Sequence, residues 1–98
     1  MTAAEVAELR ERLGLGVEDF ALVVGVHART VYRWEQGALA PEGPAEAVLR
    51  AMRGALASWP DRVDELKRLA GESLNHGGLA WLLEELMFDW LAEAPTRE

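Results

Sequence analysis

The sequence predicts an all-α chain of five or six helices without a sheet. In every long apolar stretch the hydrophobic residues recur three or four positions apart, the spacing that places them on one face of a helix. Thr2 and Glu5 have the spacing of a capping box, and Gly14 and Gly37 stand where two helices would end. The chain has 98 residues, half of them hydrophobic, which is enough for one compact domain or for a small domain with an appendage.

The composition excludes several classes of protein. The chain has no cysteine, which rules out disulfides, cysteine-based zinc sites and thiol nucleophiles. Its beginning, MTAAEVAELRER, is charged and helix-periodic, unlike a signal peptide. No apolar run reaches the roughly 20 residues that a membrane span needs. We therefore expect a cytoplasmic protein without a metal or a cofactor.

The charge of the chain is negative and unevenly distributed. Ten basic and seventeen acidic residues give a formal net charge of −7. Residues 1–40 contain four basic and six acidic residues, and residues 41–98 contain six and eleven. A nucleic-acid binder is usually basic where it contacts phosphate. Because the local placement of charge decides this, the acidic balance does not exclude DNA as a partner.

The first predicted helix covers residues 2–13. Val6, Leu9 and Leu13 form its apolar stripe, and Gly14 ends it. A second helix is expected to begin directly after Leu15-Gly16, where glycine is an acceptable but weak N-cap.

The pattern of residues 17–37 predicts a helix, a sharp turn and another helix. Gly25 lies where a chain that reverses between two helices needs a residue without a Cβ, and the small Ala21 would let the helices approach closely. The later helix covers residues 28–36 with His27 near its N-cap, and Gly37 ends it. The inward positions of this helix-turn-helix pattern are Phe20, Ala21, Val24, Val26, Val31 and Trp34.

Four pieces in order carry a resemblance to a known family: LRERLGL, the A-x-x-x-G-V turn, TVYRWEQG and the PEGP entry to the next helix. With them, roughly the first 55 residues resemble the Cro/C1-type (XRE) helix-turn-helix family of phage and bacterial repressors and small antitoxins. The resemblance implies a lambda-repressor-like DNA-binding domain over residues 1–57. It also implies a sequence-specific transcriptional regulator, most simply a dimeric repressor that reads a palindromic operator in double-stranded DNA with helix 3 in the major groove.

The resemblance further implies an ion pair between Arg10 and Glu35 that sets the angle between helices 1 and 3. The alternative is two solvated charges that contribute little. Members of the family commonly begin helix 2 with a capping Ser or Thr followed by a Gln that contacts phosphate. This chain has Gly16 and Val17 there. Part of the usual backbone contact is therefore missing, although the amides at the helix N-terminus could still bind phosphate.

The outward face of the third helix carries the candidate DNA-binding residues. Arg29 and Arg33 lie on adjacent turns, and arginine is the commonest reader of guanine O6 and N7. Thr30 can contact a thymine methyl group. The alternative is the ordinary solvated face of an amphipathic helix. His27 is expected to contact phosphate or the turn, since no nucleophile accompanies it. The full set is His27, Ala28, Arg29, Thr30, Tyr32, Arg33 and Gln36.

Two further helices are predicted between the PEGP segment and residue 72. Arg50 and Arg53 lie outside the apolar stripe of the fourth helix, and a solvated face is favoured for them over phosphate contact. The segment SWPD has the form of a capping box with Ser58 as the cap of the fifth helix, which would end at Gly71. His76 then lies in a loop. The two apolar stripes are Ala45, Val48, Leu49, Met52 and Leu56, then Val63, Leu66, Leu69 and Ala70.

The last predicted helix covers residues 79–93 and is apolar on two faces. One stripe can dock on its own domain, but Trp81 and Phe88 fall nearly opposite that stripe. We therefore expect residues 58–98 to form a helical extension that joins two copies in a homodimer. The alternative is that helix 5 covers this second face within one chain. The extension could also receive a toxin or another regulator.

A second function stays open beside that of a DNA-binding regulator. The missing Gln in helix 2 and the negative charge favour an acidic protein-interaction adaptor, an antitoxin-like partner binder that keeps the fold without specific DNA binding. Arg29, Thr30 and Arg33 oppose it. An enzyme has almost no support, because no carboxylate accompanies a nucleophile, a metal cluster or a phosphate-binding glycine loop.

Overall fold

The computed structural model describes residues 1–85, and over this range the chain is helical without a strand. This confirms the all-α prediction. Helix α6 is described from Leu79 to Glu85, so the part of the last predicted helix beyond it lies outside the described residues. The elements are α1 (Ala3–Arg12), α2 (Val17–Val24), α3 (Ala28–Glu35), α4 (Gly43–Ser58), a 3-10 turn (Pro60–Arg62), α5 (Val63–Ser73) and α6 (Leu79–Glu85).

The start of α1 is the predicted capping box. The Glu5 amide donates to the Thr2 hydroxyl at 3.2 Å, and the Thr2 amide donates to the Glu5 carboxylate at 2.8 Å. These two bonds satisfy amides that the first helical turn would otherwise leave open. The bond from the Thr2 amide lowers the pKa of Glu5, because it favours the ionised carboxylate. The cap therefore weakens as the pH falls and Glu5 becomes protonated.

One hydrophobic core joins all six helices in the described range. Phe20, Val31, Leu49, Leu66 and Leu82 come from five of these helices, and each is completely or almost completely buried. The predicted inward positions of the helix-turn-helix pattern are confirmed except for Val26, which is only half-buried at the edge of this core. The predicted stripes of α4 and α5 also face inward, with Ala45 and Val63 half-buried at their ends.

The predicted start and end of the fifth helix are wrong. Ser58 does not cap α5; it is the last residue of α4, because the following Trp59 amide still donates to the Ala55 carbonyl at 2.9 Å. A 3-10 turn that begins at Pro60 intervenes, and α5 begins at Val63 without a side-chain cap. Gly71 lies inside α5, which continues for two more residues to Ser73.

The C-terminal helices pack directly on the N-terminal ones. Helix α6 contacts both α5 and α2, and Leu82 is fully buried in the same core as Phe20. The predicted division of the chain at residues 57 and 58 falls at the end of α4 and stays a prediction. Of the two predicted dimer contacts, Trp81 is described and Phe88 lies outside the described residues.

The contact between α6 and α2 depends on a glycine. Gly78 has a φ of +75°, and a Cβ built on it would lie 3.1 Å from the Leu22 carbonyl oxygen. Its amide donates to the Ser73 carbonyl at 2.6 Å. Any other residue here would be strained in its backbone and would push α6 away from the end of α2.

We therefore expect Gly78→Ala to lower the free energy of unfolding by about 1–3 kcal/mol, the usual cost of a left-handed conformation in a residue with a Cβ. Gly71→Ala is the matched control, because a Cβ there meets nothing within 4 Å and Gly71 is helical. That change should stabilise the chain by about 0.5–1 kcal/mol. Urea denaturation followed by circular dichroism measures both, and equal stability of the two variants would contradict this packing.

Candidate nucleic-acid interface

The turn between α2 and α3 sets the crossing of these two helices. Gly25 has a φ of +82°, the left-handed conformation that ends α2. The amides of Gly25 and Val26 both donate to the Ala21 carbonyl at 2.9 Å. Ala21 is buried, so its small side chain lets α3 pack closely against α2. The chain then enters α3 through His27, whose carbonyl accepts from the Thr30 amide at 2.9 Å. This is the helix-turn-helix geometry that the sequence predicts.

An ion pair holds α3 against α1. Arg10 donates through Nε to Glu35 at 2.7 Å and through Nη2 at 2.9 Å, and its Nη1 donates to the Leu15 carbonyl at 3.0 Å. The two charged side chains are 19% and 17% exposed, so solvent screens them little. The bond to Glu35 raises the pKa of Arg10, which stays charged. The predicted pair is therefore present, with bidentate geometry.

The inner face of α3 anchors the helix. Val31 is 0% exposed and Trp34 is 3% exposed, so both lie in the core as predicted. At 100° per residue the side opposite these two residues carries Arg29, Arg33 and Gln36. All three are exposed. Because the ion pair and the buried residues fix one side of α3, the other side is presented to solvent in a defined orientation.

The seven predicted DNA-binding residues divide into two groups. His27, Arg29, Tyr32, Arg33 and Gln36 are exposed, and Tyr32 is one of the large hydrophobic residues most open to solvent, at 48%. Ala28 and Thr30 are half-buried, because they lie at the flanks of the outward face. Within the described residues, neither Arg29 nor Arg33 forms a salt bridge. Their guanidinium groups are therefore available to a ligand.

The beginning of α2 differs from a phosphate-binding helix start. Gly16 is its N-cap and offers no side-chain hydrogen bond. Glu18 and Asp19, both exposed, occupy the first turn. They stabilise the helix through its dipole. The same charges oppose the approach of a phosphate to the α2 amides, so this helix start is poorly suited to holding a DNA backbone.

The sequence analysis did not identify Leu39, an exposed hydrophobic residue that follows α3. The amides of Ala38 and Leu39 both donate to the Arg33 carbonyl, at 3.0 Å and 3.3 Å, so the chain after α3 folds back on its last turn. Gly37, with a φ of +76°, makes this reversal possible. Leu39 is left 41% exposed next to the end of the outward face. The signal was present in the sequence as a leucine inside a loop of glycine, alanine and proline.

The second predicted surface, for dimerisation, is described only in part. Trp81 is half-buried against the core and stacks on His76, with ring centroids 4.9 Å apart and an angle of 20° between the planes. His76 lies in a turn between α5 and α6, as predicted. Part of the Trp81 ring is thus covered by its own chain. Whether its exposed part contacts a second copy stays a prediction.

Residues 1–85 offer neither a metal-binding cluster nor a membrane-spanning helix. No group of three or more histidine, aspartate or glutamate side chains in this range is placed to hold a metal ion. None of the helices described is long and apolar enough to cross a membrane.

A comparison with known proteins identifies a family to which much of the chain is similar. A family model described as a helix-turn-helix domain matches residues 3–66, which include α1 to α4 and the first turn of α5. The matched range is about two thirds of the chain. No curated protein and no solved structure matches the chain.

We expect Arg10→Ala to lower the free energy of unfolding by about 2–3 kcal/mol, because it leaves the Glu35 carboxylate partly buried without its partner. Arg68→Ala is the matched control: it removes an exposed pair with Glu72 at 3.0 Å and should cost no more than about 0.5 kcal/mol. Urea denaturation of both variants gives the comparison. Equal costs would show that the Arg10 pair is an ordinary surface interaction.

Proposed function

We propose that this chain, which belongs to the helix-turn-helix domain family, is a sequence-specific regulator of transcription. We propose that it reads double-stranded DNA with α3. We further propose the Cro/C1-type (XRE) branch of that family and the role of a repressor. The family membership supports DNA binding in general. The resemblance over the first 55 or so residues supports the finer assignment.

The observation that carries the proposal is the pair of exposed arginines on a helix that the core and the Arg10–Glu35 pair hold in place. Arg29 and Arg33 are exposed on the side of α3 opposite its buried residues. They are four residues apart, so their Cα atoms are separated by about 6 Å along the helix axis. Each guanidinium can donate two hydrogen bonds to the O6 and N7 of a guanine in the major groove. Stacked base pairs are about 3.4 Å apart, so the two arginines suit guanines about two base pairs apart.

The neighbours of these arginines suit the same surface. Thr30 lies at the flank, where a half-buried methyl group and hydroxyl can contact a thymine methyl or a base edge. Tyr32 and Gln36 are exposed beside the arginines and can contact the sugar-phosphate backbone. His27 is at the N-terminus of α3, where backbone amides favour an anion. We propose that α3 enters the groove with these residues around the two arginines.

The negative charge of the chain predicts DNA binding that depends more on base contacts than on phosphate contacts. Non-specific affinity comes mainly from positive charges on phosphate, and this chain has a net charge of −7. The acidic residues Glu18 and Asp19 lie in the first turn of α2, which packs against α3. We therefore propose weak binding to random duplex and a strong dependence on the base contacts of Arg29 and Arg33.

A homodimer completes the proposal. One helix-turn-helix unit covers a half-site, and two units about 34–36 Å apart would engage successive major grooves of a palindromic operator. We propose that the C-terminal helix joins the two copies through Trp81 and Phe88. The half-exposed Trp81 supports this assignment, since large aromatic residues often carry much of the energy of an interface.

The second candidate function is the protein-interaction adaptor. Glu18 and Asp19 favour it, because they place negative charge where a DNA backbone would be expected. Such a protein would bind neither random nor selected duplex at low salt. It would instead bind a partner protein without DNA. The selection experiment below separates the two functions.

The base-reading proposal is tested by selecting bound sequences from a random duplex pool. We expect an enriched half-site with two guanines about two base pairs apart. Arg29→Ala and Arg33→Ala should each weaken binding to the selected site by about 1–3 kcal/mol and relax the preference at a different position. Arg68→Ala, an exposed arginine on α5, serves as the control and should keep the parent's affinity and preference. No enrichment, or unchanged affinity in both α3 variants, would contradict the proposal.

The dimer proposal is tested with Trp81→Glu combined with Phe88→Lys. We expect a folded monomer with operator affinity at least about ten-fold weaker, because one half-site is then bound without its partner. Glu84→Gln, an exposed position on the same helix, should stay dimeric. Sedimentation measures assembly and circular dichroism checks folding, since Trp81 also contacts the core. A folded double variant that stays dimeric, or a monomer with the parent's affinity, would contradict the assignment.

A further inference from the structure

A groove of about 430 Å³ lies between α1 and α4. Its walls are formed by one face of each helix, since the lining residues of α1 and of α4 are three or four positions apart. Its volume is in the range of small-molecule sites in proteins, about 300–1,000 Å³. The lining includes Glu5, Glu8 and Arg12 on α1 and Arg50, Arg53 and Gly54 on α4.

The groove collects positive charge in an acidic chain. Three of the ten basic residues line it, although the net charge of the chain is −7. Two glutamates accompany them, but Glu5 is already engaged through both carboxylate oxygens. One oxygen accepts from the Thr2 amide at 2.8 Å, and the other pairs with Arg53 at 2.7 Å. The charge of Glu5 is therefore balanced by Arg53, which leaves Arg12 and Arg50 with the single carboxylate of Glu8 among the lining residues.

Two of the arginines are available to a ligand. Arg12 is exposed and forms no salt bridge within the described part of the chain. Arg50 is 64% exposed, and its contact with Glu46 on the same helix is loose, at 3.5 Å. Arg53 is anchored to Glu5 through Nη2, so its other nitrogen atoms can face a second anion. Guanidinium groups bind carboxylates and phosphates through pairs of parallel hydrogen bonds.

The groove faces away from the DNA-reading helix. On α1, the face formed by Glu5, Glu8 and Arg12 is about 170° from Arg10 at 100° per residue. Arg10 is the residue that bonds to Glu35 on α3. A ligand in the groove therefore does not need to compete with DNA on α3. Gly54 leaves open space on the α4 wall, because a Cβ built there meets nothing within 4 Å.

We propose that this groove binds a small polyanion, a molecule with two or more phosphate or carboxylate groups, on the face of the domain away from α3. Arg12, Arg50 and Arg53 hold its anionic groups, and Glu8 accepts a hydrogen bond from its hydroxyl or amino group. The binding of this molecule to the groove does not depend on the proposed function. Only its role as an effector of a regulator rests on that function.

The test is a titration of the full chain, labelled for amide NMR, with pyrophosphate and separately with citrate at constant ionic strength. We expect saturable shifts on α1 and α4 with at least one probe, and the stronger probe identifies phosphate or carboxylate as the preferred group. Arg12→Ala combined with Arg50→Ala should weaken that binding by at least about ten-fold, since two charge-assisted contacts are lost. Within the described residues, neither substitution removes an ion pair between helices.

Arg68→Ala is the matched control, because Arg68 has the same i, i+4 type of pair as Arg50 and lies on α5, away from the groove lining. It should leave probe affinity unchanged. Absence of saturable shifts with both probes, or equal weakening by Arg68→Ala, would overturn the proposal. Displacement of the probe by a duplex that carries the selected half-site would also overturn the proposal. If the chain binds no DNA but binds the probe as described, the proposed function fails and the groove assignment stands.

Discussion

The bidentate pair between Arg10 and Glu35 is the interaction on which the arrangement of this domain depends. The two residues are 25 positions apart in the sequence, and a single guanidinium also holds the Leu15 carbonyl between α1 and α2. One side chain thus ties α1, the following loop and α3 together. Val31 and Trp34 bury the other side of α3 in the core. The direction of Arg29 and Arg33 follows from these constraints, because α3 has little freedom to rotate about its own axis.

The sequence predicted much of the helix-turn-helix region because its signals there are local and agree with one another. The apolar spacing around Phe20 and Trp34, the glycine at Gly25 and the cap at Thr2 all act within a few residues. Predictions failed where two local signals compete. Ser58 has the spacing of a cap, but the hydrogen bonds of α4 continue past it and Pro60 begins a separate turn. Gly71 resembles a helix end, yet its helix is held by buried neighbours and continues.

Features that depend on two distant segments could not be predicted from spacing. The half-burial of Trp81 arises because the residue packs against the core and because the turn before α6 brings His76 over its ring. The groove between α1 and α4 requires faces that are about forty residues apart in the sequence. Within α3 the pattern separated inward from outward positions correctly, but it could not show that Ala28 and Thr30 are partly covered. That distinction depends on how the neighbouring helices pack, and α3 contacts both α1 and α2.

The packing of α6 on α2 has a consequence for exchanging domains between proteins of this kind. The core that supports α3 is closed by Leu69, Ala70 and Leu82, all of which follow the end of the range matched by the family model at residue 66. A chimera that transplants only the matched range would therefore carry α3 on an open core. The transplanted segment must therefore extend beyond Leu82. It must also include Gly78, because the contact between α6 and α2 depends on that glycine.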